Sequence, residues 1–127
     1  MRSVLGRVNP DPPSPVFVPH LVPLVRGILC SIYPTTSGSA QPANWPQLLR
    51  SRYATSPFVH VGAIPRLAWT QGTNQCYLSV QRAGDAPVVF SAIDNLGKGG
   101  AAQAIQNANL LFGWDQATGL TQPGFGV

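Results

Sequence analysis

Short apolar runs separated by turn residues give much of this chain the pattern of a β-sheet. The run at 88–93 is continuous and bounded by polar turns, which predicts a buried strand. Residues 76–82 alternate polar and apolar side chains, which predicts a strand with one wetter face. Because residues 83–86 form a tight turn between them, we expect the two strands to pair as an antiparallel hairpin. Further strands are predicted at 27–33 (buried), 58–61 and 66–69.

Two segments have the pattern of helices. Residues 101–112 place small and apolar side chains on one face and amide side chains on the other, with Gly113 as a C-cap. Residues 45–54 predict a shorter helix, in which Asn44 is the N-cap and Pro46 lies in the first turn. Strands with few helices predict an α+β fold, with a mixed, largely antiparallel sheet and a long helix at the end. The apolar face of that last helix contains Ala101, Ala104, Ile105, Ala108, Leu111 and Phe112.

Composition mainly serves to exclude classes of protein and kinds of site. The 127 residues suffice for one domain, and the net charge of +4 comes from scattered basic residues, which argues against nucleic-acid binding. No apolar run approaches the roughly 20 residues that span a bilayer, and the proline-broken N-terminus is a poor signal peptide. We therefore expect a cytoplasmic protein with no membrane partner. Cys30 and Cys76 have no metal-ligand spacing, so we expect no metal site and interpret both as buried thiols.

The most informative turn is DNLGKGG, residues 94–100. It follows a predicted strand and opens a predicted helix, so free backbone N–H groups, the positive end of the helix dipole and Lys98 meet at one place. This arrangement suits an anion, although most such turns only connect two elements. Asp94 can either cap the turn or orient Lys98, which is the only lysine of the chain.

A second segment, residues 19–29, carries a histidine and an arginine in an otherwise apolar run. His20 lies between Pro19 and Pro23, which restrict the backbone on both sides. It can be a buried polar group, a surface residue, or a general acid and base, since histidine exchanges protons near neutral pH. Arg26 needs a partner if it is buried, and a carboxylate or phosphate fits its planar fork.

Three stretches, 17–29, 72–80 and 91–120, together resemble the C-terminal part of the N-acetyl-gamma-glutamyl-phosphate reductases, and residues 44–61 are similar in type and order. The resemblance covers nearly everything after Pro15. It implies an α+β fold of the kind found in the C-terminal domain of semialdehyde dehydrogenases and glyceraldehyde-3-phosphate dehydrogenase. It also implies a homo-oligomer in the full enzyme.

The same resemblance implies an oxidoreductase of arginine biosynthesis that uses NADP. Such an enzyme reduces N-acetyl-glutamyl 5-phosphate to N-acetyl-glutamate 5-semialdehyde, and phosphate leaves when a cysteine thiolate attacks the acyl carbon. By resemblance, His20 is the catalytic histidine and Arg26 binds an anionic group of the substrate. We further expect the His20 imidazole and the Lys98 amine to face a common cleft. The turn residues implied to lie near the cofactor are Asn95, Leu96, Gly97 and Lys98.

The sequence also departs from the family pattern. It contains neither the family's N-terminal nucleotide-binding domain nor the Gly-Cys-Tyr-Pro-Thr segment with the nucleophile, and neither cysteine lies where it could inherit that role. We therefore expect a partial enzyme, inactive alone: a truncated product, a fragment, or one piece of a split enzyme. Its predicted divisions are an irregular leader at 1–15, a partial catalytic and dimerisation domain at 16–93, and a cofactor-facing turn, helix and tail at 94–127.

Two alternatives stay open. The chain can belong to another semialdehyde dehydrogenase, such as aspartate-semialdehyde dehydrogenase, or it can be a non-catalytic dimerisation or anion-binding module. The resemblance implies that the apolar face of the last helix packs against the nucleotide-binding domain. Without that domain, this face must fold back on its own sheet or stay exposed and favour self-association.

Overall fold

The structure is a computed structural model that describes residue 6 and residues 14–34 and 44–124. Most of the leader predicted at 1–15, much of the loop that precedes the first helix and the end of the tail lie outside these residues. Among the described helices, none is both long and apolar enough to cross a membrane. The strands are β1 (Ile28–Ile32), β2 (Val59–Val61), β3 (Cys76–Ala83) and β4 (Ala86–Ile93), and the α-helices are α1 (Trp45–Arg52) and α2 (Ala102–Leu111).

The four described strands form one sheet in the order β1-β4-β3-β2. β3 and β4 make the predicted antiparallel hairpin, in which Cys76 pairs with Ile93 and Ala83 with Ala86. Gly84 lies in the turn with a φ of +59°, which suits a tight hairpin connection. β1 also runs antiparallel to β4, whereas β2 runs parallel to β3. The predicted α+β fold with a mixed, largely antiparallel sheet is therefore confirmed.

The prediction of a buried strand at 27–33 is wrong in one respect, because all five residues of β1 are exposed. β1 is an edge strand, and within the described ranges β4 is its sole neighbour. Ile28, Leu29 and Ile32 are each about half exposed (45–53%). The buried apolar side chains are Phe58, Leu78, Val88, Val89, Ala92 and Leu120. Most of the core side chains therefore belong to the hairpin strands β3 and β4, and none belongs to β1.

Two other strand predictions need correction. The segment at 66–69 is not a strand but a 3-10 turn at Leu67–Trp69, which the bond from Thr70 N–H to the Leu67 carbonyl closes at 2.9 Å. The wetter face predicted for β3 is not wet at its centre, because Ser79 is fully buried. β3 is a central strand between β2 and β4, so a polar side chain there is not automatically at the surface.

The start of α1 agrees with the sequence. Asn44 Oδ1 accepts a hydrogen bond from Gln47 N–H at 3.0 Å, and proline occupies the first turn. The helix ends at Arg52, two residues before the predicted end, where Tyr53 N–H donates to the Leu49 carbonyl. Local capping rules therefore define this helix well.

A π-helical turn at Gly97–Ala101 precedes α2, so the α-helix begins one residue later than predicted. The buried residues of α2 are polar, Gln106 and Asn109, whereas the predicted apolar face is exposed except at half-buried Ala108, with Leu111 at 85%. Gln106 and Asn109 lie inside, where the Asn109 amide donates to two carbonyls of the tail, those of residues 116 and 118, whereas Asn107 is exposed. Gly113 follows with a φ of +72°, as expected of a C-cap.

Candidate functional site at the turn after β4

Asp94 closes the turn that follows β4. It is fully buried. Its Oδ1 accepts hydrogen bonds from Leu96 N–H at 2.7 Å and from Gly97 N–H at 2.8 Å, and its Oδ2 accepts one from Gly72 N–H at 2.6 Å. Arg26 Nη2 lies 3.0 Å from each carboxylate oxygen. Of the two roles considered for Asp94, the structure supports capping of the turn.

These partners keep Asp94 ionised. Burial by itself would raise the pKa of the carboxyl, but the hydrogen bonds from Gly72, Gly97 and Leu96 and from Arg26 outweigh it and lower the pKa below its ordinary value. The N–H groups of Leu96 and Gly97 therefore point at an anion of the chain itself. The sequence predicted these N–H groups to be free for an anion, but those of Leu96 and Gly97 are already bound to Asp94.

Two adjacent contacts join the histidine-bearing segment to this turn. One is the Arg26–Asp94 ion pair, and the other is a hydrogen bond of 2.8 Å from Gly27 N–H to Asn95 Oδ1. Gly27 has a φ of +119°, and a Cβ there would lie 2.9 Å from a methyl carbon of Leu67. Glycine is therefore favoured at this position for both its conformation and its size. We call Arg26, Gly27, Asp94 and Asn95 the junction.

An open cleft of about 740 Å³ lies beside the junction. Its lining includes His20 and Asn95, one from each of the two motifs singled out in the sequence, and otherwise mainly apolar residues of 21–29 with Leu67. His20 is exposed, and its Nδ1 lies 3.2 Å from the carbonyl oxygen of Val18. Leu96, Gly97 and Lys98 do not line this cleft. The expectation that His20 and Lys98 face a common cleft is therefore wrong, and Asn95 shares the cleft with His20 instead.

The Lys98 amine points into the body of the protein. Its Nζ donates to Gln106 Oε1 at 2.6 Å and lies 5.5 Å from the centre of the Phe58 ring. Gln106 Oε1 also accepts from Asn74 Nδ2 at 3.0 Å. Burial lowers the pKa of Lys98, and the nearby Cys76 partly opposes this shift. Lys98 thus connects the turn at residues 94–100, which we call the glycine turn, to the buried polar residues of α2.

The two cysteines have different surroundings. Cys30 on β1 is exposed, so its interpretation as a buried thiol is wrong; Cys76 on β3 is half-buried. Burial raises the pKa of the Cys76 thiol, although Ser91 Oγ at 3.8 Å and the charge of Lys98 oppose it. A thiol with a raised pKa is a poor nucleophile at neutral pH. Within residues 14–34 and 44–124, no group of three or more His, Cys, Asp or Glu side chains could hold a metal ion.

Sequence reasoning considered the turn-capping role of Asp94 but missed its pairing with Arg26. The signal was present, because Arg26 in an apolar run needs a carboxylate partner and the chain offers only four acidic residues. Gln106 was also missed, since it was placed on the outer, polar face of the helix. Its three amide contacts, to Lys98, Asn74 and Gln116, place it inside instead.

A family model described as semialdehyde dehydrogenase, dimerisation domain, matches residues 1–95 of the chain. The chain therefore belongs to the semialdehyde dehydrogenase dimerisation-domain family. This agrees with the mixed sheet that carries the junction.

Within that family, the curated relatives it resembles are named N-acetyl-gamma-glutamyl-phosphate reductases, which confirms the resemblance seen in the sequence. The relative from Alkalilimnicola ehrlichii is 44% identical over 128 residues, 97% of this chain and 37% of its own length. The relative from Cellvibrio japonicus is 46% identical over 109 residues, 82% of this chain and 31% of its own length. A third, from Pelotomaculum thermopropionicum, is 40% identical over 98% of this chain and 37% of its own length. The chain thus spans about a third of the length of these relatives.

Proposed function

We propose that this chain is the proton-transferring and cofactor-facing part of an NADP-dependent N-acetyl-gamma-glutamyl-phosphate reductase. The reaction is the reductive dephosphorylation of N-acetyl-glutamyl 5-phosphate to the 5-semialdehyde, a step of arginine biosynthesis in the cytoplasm. The nucleophile and the main nucleotide-binding part belong to polypeptide outside these 127 residues, and the assembled enzyme is a homo-oligomer. One observation carries the proposal: His20 and Asn95 line one cleft, beside the contacts that join their two segments.

His20 is the proposed proton donor and acceptor. It is exposed at the cleft, and the prolines on either side restrict its backbone. When Nδ1 carries a proton, the Val18 carbonyl at 3.2 Å can accept it, which leaves Nε2 to exchange a proton with a substrate oxygen. Such a transfer neutralises the oxygen that becomes the aldehyde.

Asn95 is the proposed contact to the nicotinamide end of the cofactor. Because Gly27 N–H can only donate, the atom that receives it is Oδ1, and Nδ2 remains as a donor. Nδ2 makes no hydrogen bond to any residue that the structure describes, so it fits a ligand carbonyl such as a carboxamide. When bound, NADPH supplies the hydride. Leu96, Gly97 and Lys98 complete the turn near the cofactor in this proposal, with Leu96 exposed and the Lys98 amine on Gln106.

The substrate-binding role of Arg26 is also part of the proposal inferred from the resemblance. Its side chain is about a quarter exposed (26%), and its guanidinium already faces the Asp94 carboxylate. A phosphate or carboxylate of the substrate would therefore share this cation with Asp94.

The test combines the chain with the remaining part of the Alkalilimnicola ehrlichii relative and follows phosphate-dependent reduction of NADP⁺ by N-acetyl-glutamate 5-semialdehyde. We expect turnover in the mixture and none with the chain alone. His20→Asn should lower kcat by about 10²- to 10⁴-fold, the usual worth of a general acid–base group.

The matched control is His60→Asn, because His60 is an exposed histidine on β2 that is bound to Gln75 and lies outside the cleft lining. It should leave kcat unchanged. An active wild-type mixture in which His20→Asn has no effect would remove the assignment of His20. Turnover with aspartate semialdehyde instead would favour the other dehydrogenase.

A non-catalytic dimerisation module is the second candidate, and exposed apolar side chains favour it. Leu21 and Val25 before β1 and Leu111 at the end of α2 are nearly fully exposed, at 85–103%. Exposed apolar surface of this kind favours association. Sedimentation that shows a stable dimer, together with an inactive mixture, would support this candidate over the reductase.

A further inference from the structure

We propose that Arg26 and Asp94 are positioning residues, which hold His20 and Asn95 at the cleft without themselves touching the substrate. This inference rests on the proposed reaction, because it assigns the pair a role in that reaction. It also replaces the substrate-anchor role of Arg26 with one that the geometry explains more directly.

The location of the pair supports a positioning role. Neither Arg26 nor Asp94 lines the cleft, whereas the residue after each of them, Gly27 and Asn95, does. Asp94 is fully buried, so a substrate in the cleft cannot reach its carboxylate. The pair thus stands directly behind the residues that face a ligand.

Asp94 gathers three separate parts of the chain at one carboxylate. Arg26 brings the segment before β1, Gly72 brings the loop before β3, and the N–H groups of Leu96 and Gly97 belong to the glycine turn. Charge-assisted hydrogen bonds of this kind are stronger than neutral ones. The carboxylate therefore fixes the histidine-bearing segment relative to the turn.

The two junction contacts are adjacent. Because Arg26 and Gly27 are neighbours, and Asp94 and Asn95 are neighbours, the ion pair and the Gly27–Asn95 hydrogen bond form side by side. Without the ion pair, the Gly27 N–H would lose the support that aims it at Asn95 Oδ1. Asn95 would then lose the orientation that presents its Nδ2 to the cleft.

The kinetic test uses the active mixture of chain and nucleotide-binding part. We expect Arg26→Met and Asp94→Asn each to lower kcat by about 10- to 100-fold, since small misplacement of a catalytic group has effects of this order. In Asp94→Asn an amide NH₂ group, which donates, can take the position of the carboxylate oxygen that accepts from Gly72 N–H and Arg26. KM for phosphate and for the semialdehyde should change less than about threefold, because the pair makes no substrate contact.

A double-mutant cycle adds a second readout. If the two residues act through each other, the Arg26→Met/Asp94→Asn variant loses no more activity than the worse single variant. Arg26→Lys keeps the charge without the fork and should lie between Arg26→Met and the wild type. It also serves as the milder change if Arg26→Met reduces folding.

Amide hydrogen exchange of the full 127-residue chain tests the junction without any assay of activity. Arg26→Met should speed exchange at Gly27, Leu96 and Gly97 by at least about tenfold relative to wild type, because their local protection depends on the pair. The exposed pair Arg82–Asp85, at 3.2 Å, supplies matched controls. Arg82→Met and Asp85→Asn should change neither exchange at these amides nor kcat.

Two results would overturn the inference. One is an active wild-type mixture in which Arg26→Met raises KM at unchanged kcat, as a substrate anchor would. The other is unchanged exchange at Gly27, Leu96 and Gly97 in Arg26→Met. A wild-type mixture without turnover is a different outcome: it contradicts the proposed function, while the exchange data still decide whether the pair holds the junction.

Discussion

The two ends of β4 offer a natural comparison, since each is bounded by an aspartate that pairs with an arginine. At the start, Asp85 faces Arg82 at 3.2 Å, and both side chains are largely in solvent. At the end, Asp94 faces Arg26 at 3.0 Å, with the aspartate side chain at 0% exposure. The same two residue types, at nearly the same distance, thus lie in opposite environments.

The difference shows what gives an ion pair its structural effect. Exposed pairs contribute little, because water and salt screen them and two long side chains must be ordered. The buried pair is different because Asp94 also accepts three backbone hydrogen bonds, which offset the cost of burial. The junction end of β4 organises three segments, whereas the hairpin end joins residues three apart in sequence.

The largest expected effect comes from Asp94→Ala, which leaves three backbone N–H groups and a cation without their acceptor. Breaking a buried, hydrogen-bonded pair costs about 3–5 kcal/mol, so the free energy of unfolding should fall by that order. Equilibrium urea unfolding measures it. The control, Asp85→Ala at the other end of β4, should leave the unfolding midpoint where it is. Equal shifts for the two variants would end the comparison.

Gly97→Ala should have the next largest effect, because the glycine turn packs tightly behind Asp94. A Cβ at this position would clash with the backbone oxygen of Thr73, so the turn or the loop must move. Overpacking of this kind costs about 1–3 kcal/mol, measurable by thermal unfolding. Gly62→Ala is the matched control, since nothing lies within 4 Å of its added Cβ. A Gly97→Ala variant as stable as Gly62→Ala would show that the turn is not tightly packed.

Acid should cost the junction end of β4 more stability than the hairpin end. The folded state lowers the pKa of Asp94, so Asp94 contributes stability that is complete above its unfolded pKa of about 3.9. That contribution is lost as pH falls through the folded pKa. Urea unfolding at a series of pH values should show a free energy of unfolding that falls as the pH falls. Asp94→Asn should reduce this slope, and Asp85→Asn should leave it unchanged. An unchanged slope in Asp94→Asn would contradict this prediction.

The smallest expected effect is that of Arg82→Met at the hairpin end. Among the residues that the structure describes, its guanidinium hydrogen-bonds to the exposed Asp85 alone, through the carboxylate and the backbone carbonyl, so no measurable change in Tm is expected. A clear loss of stability would mean that the hairpin pair is worth more than its exposure indicates.

The sequence predicted those features that depend on neighbouring residues. The hairpin, the Asn44 cap and the Gly113 C-cap follow from local turn and capping rules, and all three are confirmed. The exposure of β1 could not be predicted in this way. An apolar run has the same local pattern whether it lies at the edge or at the centre of a sheet.

In the candidate site, too, local features could be predicted from the sequence and long-range contacts could not. The need of Arg26 for an acidic partner could be predicted from its apolar surroundings, but its choice of Asp94, 68 residues away, depends on the pairing of β1 with β4. Lys98 was expected at the cleft because it lies in the turn that opens the helix, where free backbone N–H groups were also predicted. It lies inward because Gln106, on the buried side of α2, offers an oxygen at 2.6 Å.

The contrast between the two cysteines makes the edge strand experimentally useful. Cys30 projects into solvent from β1, while Cys76 is half-buried with a raised pKa, so a maleimide dye should react first with Cys30. Because β1 begins directly after Gly27, a fluorophore there would sit within a few residues of the junction. Its emission would report docking of a second polypeptide in real time, without any engineered cysteine.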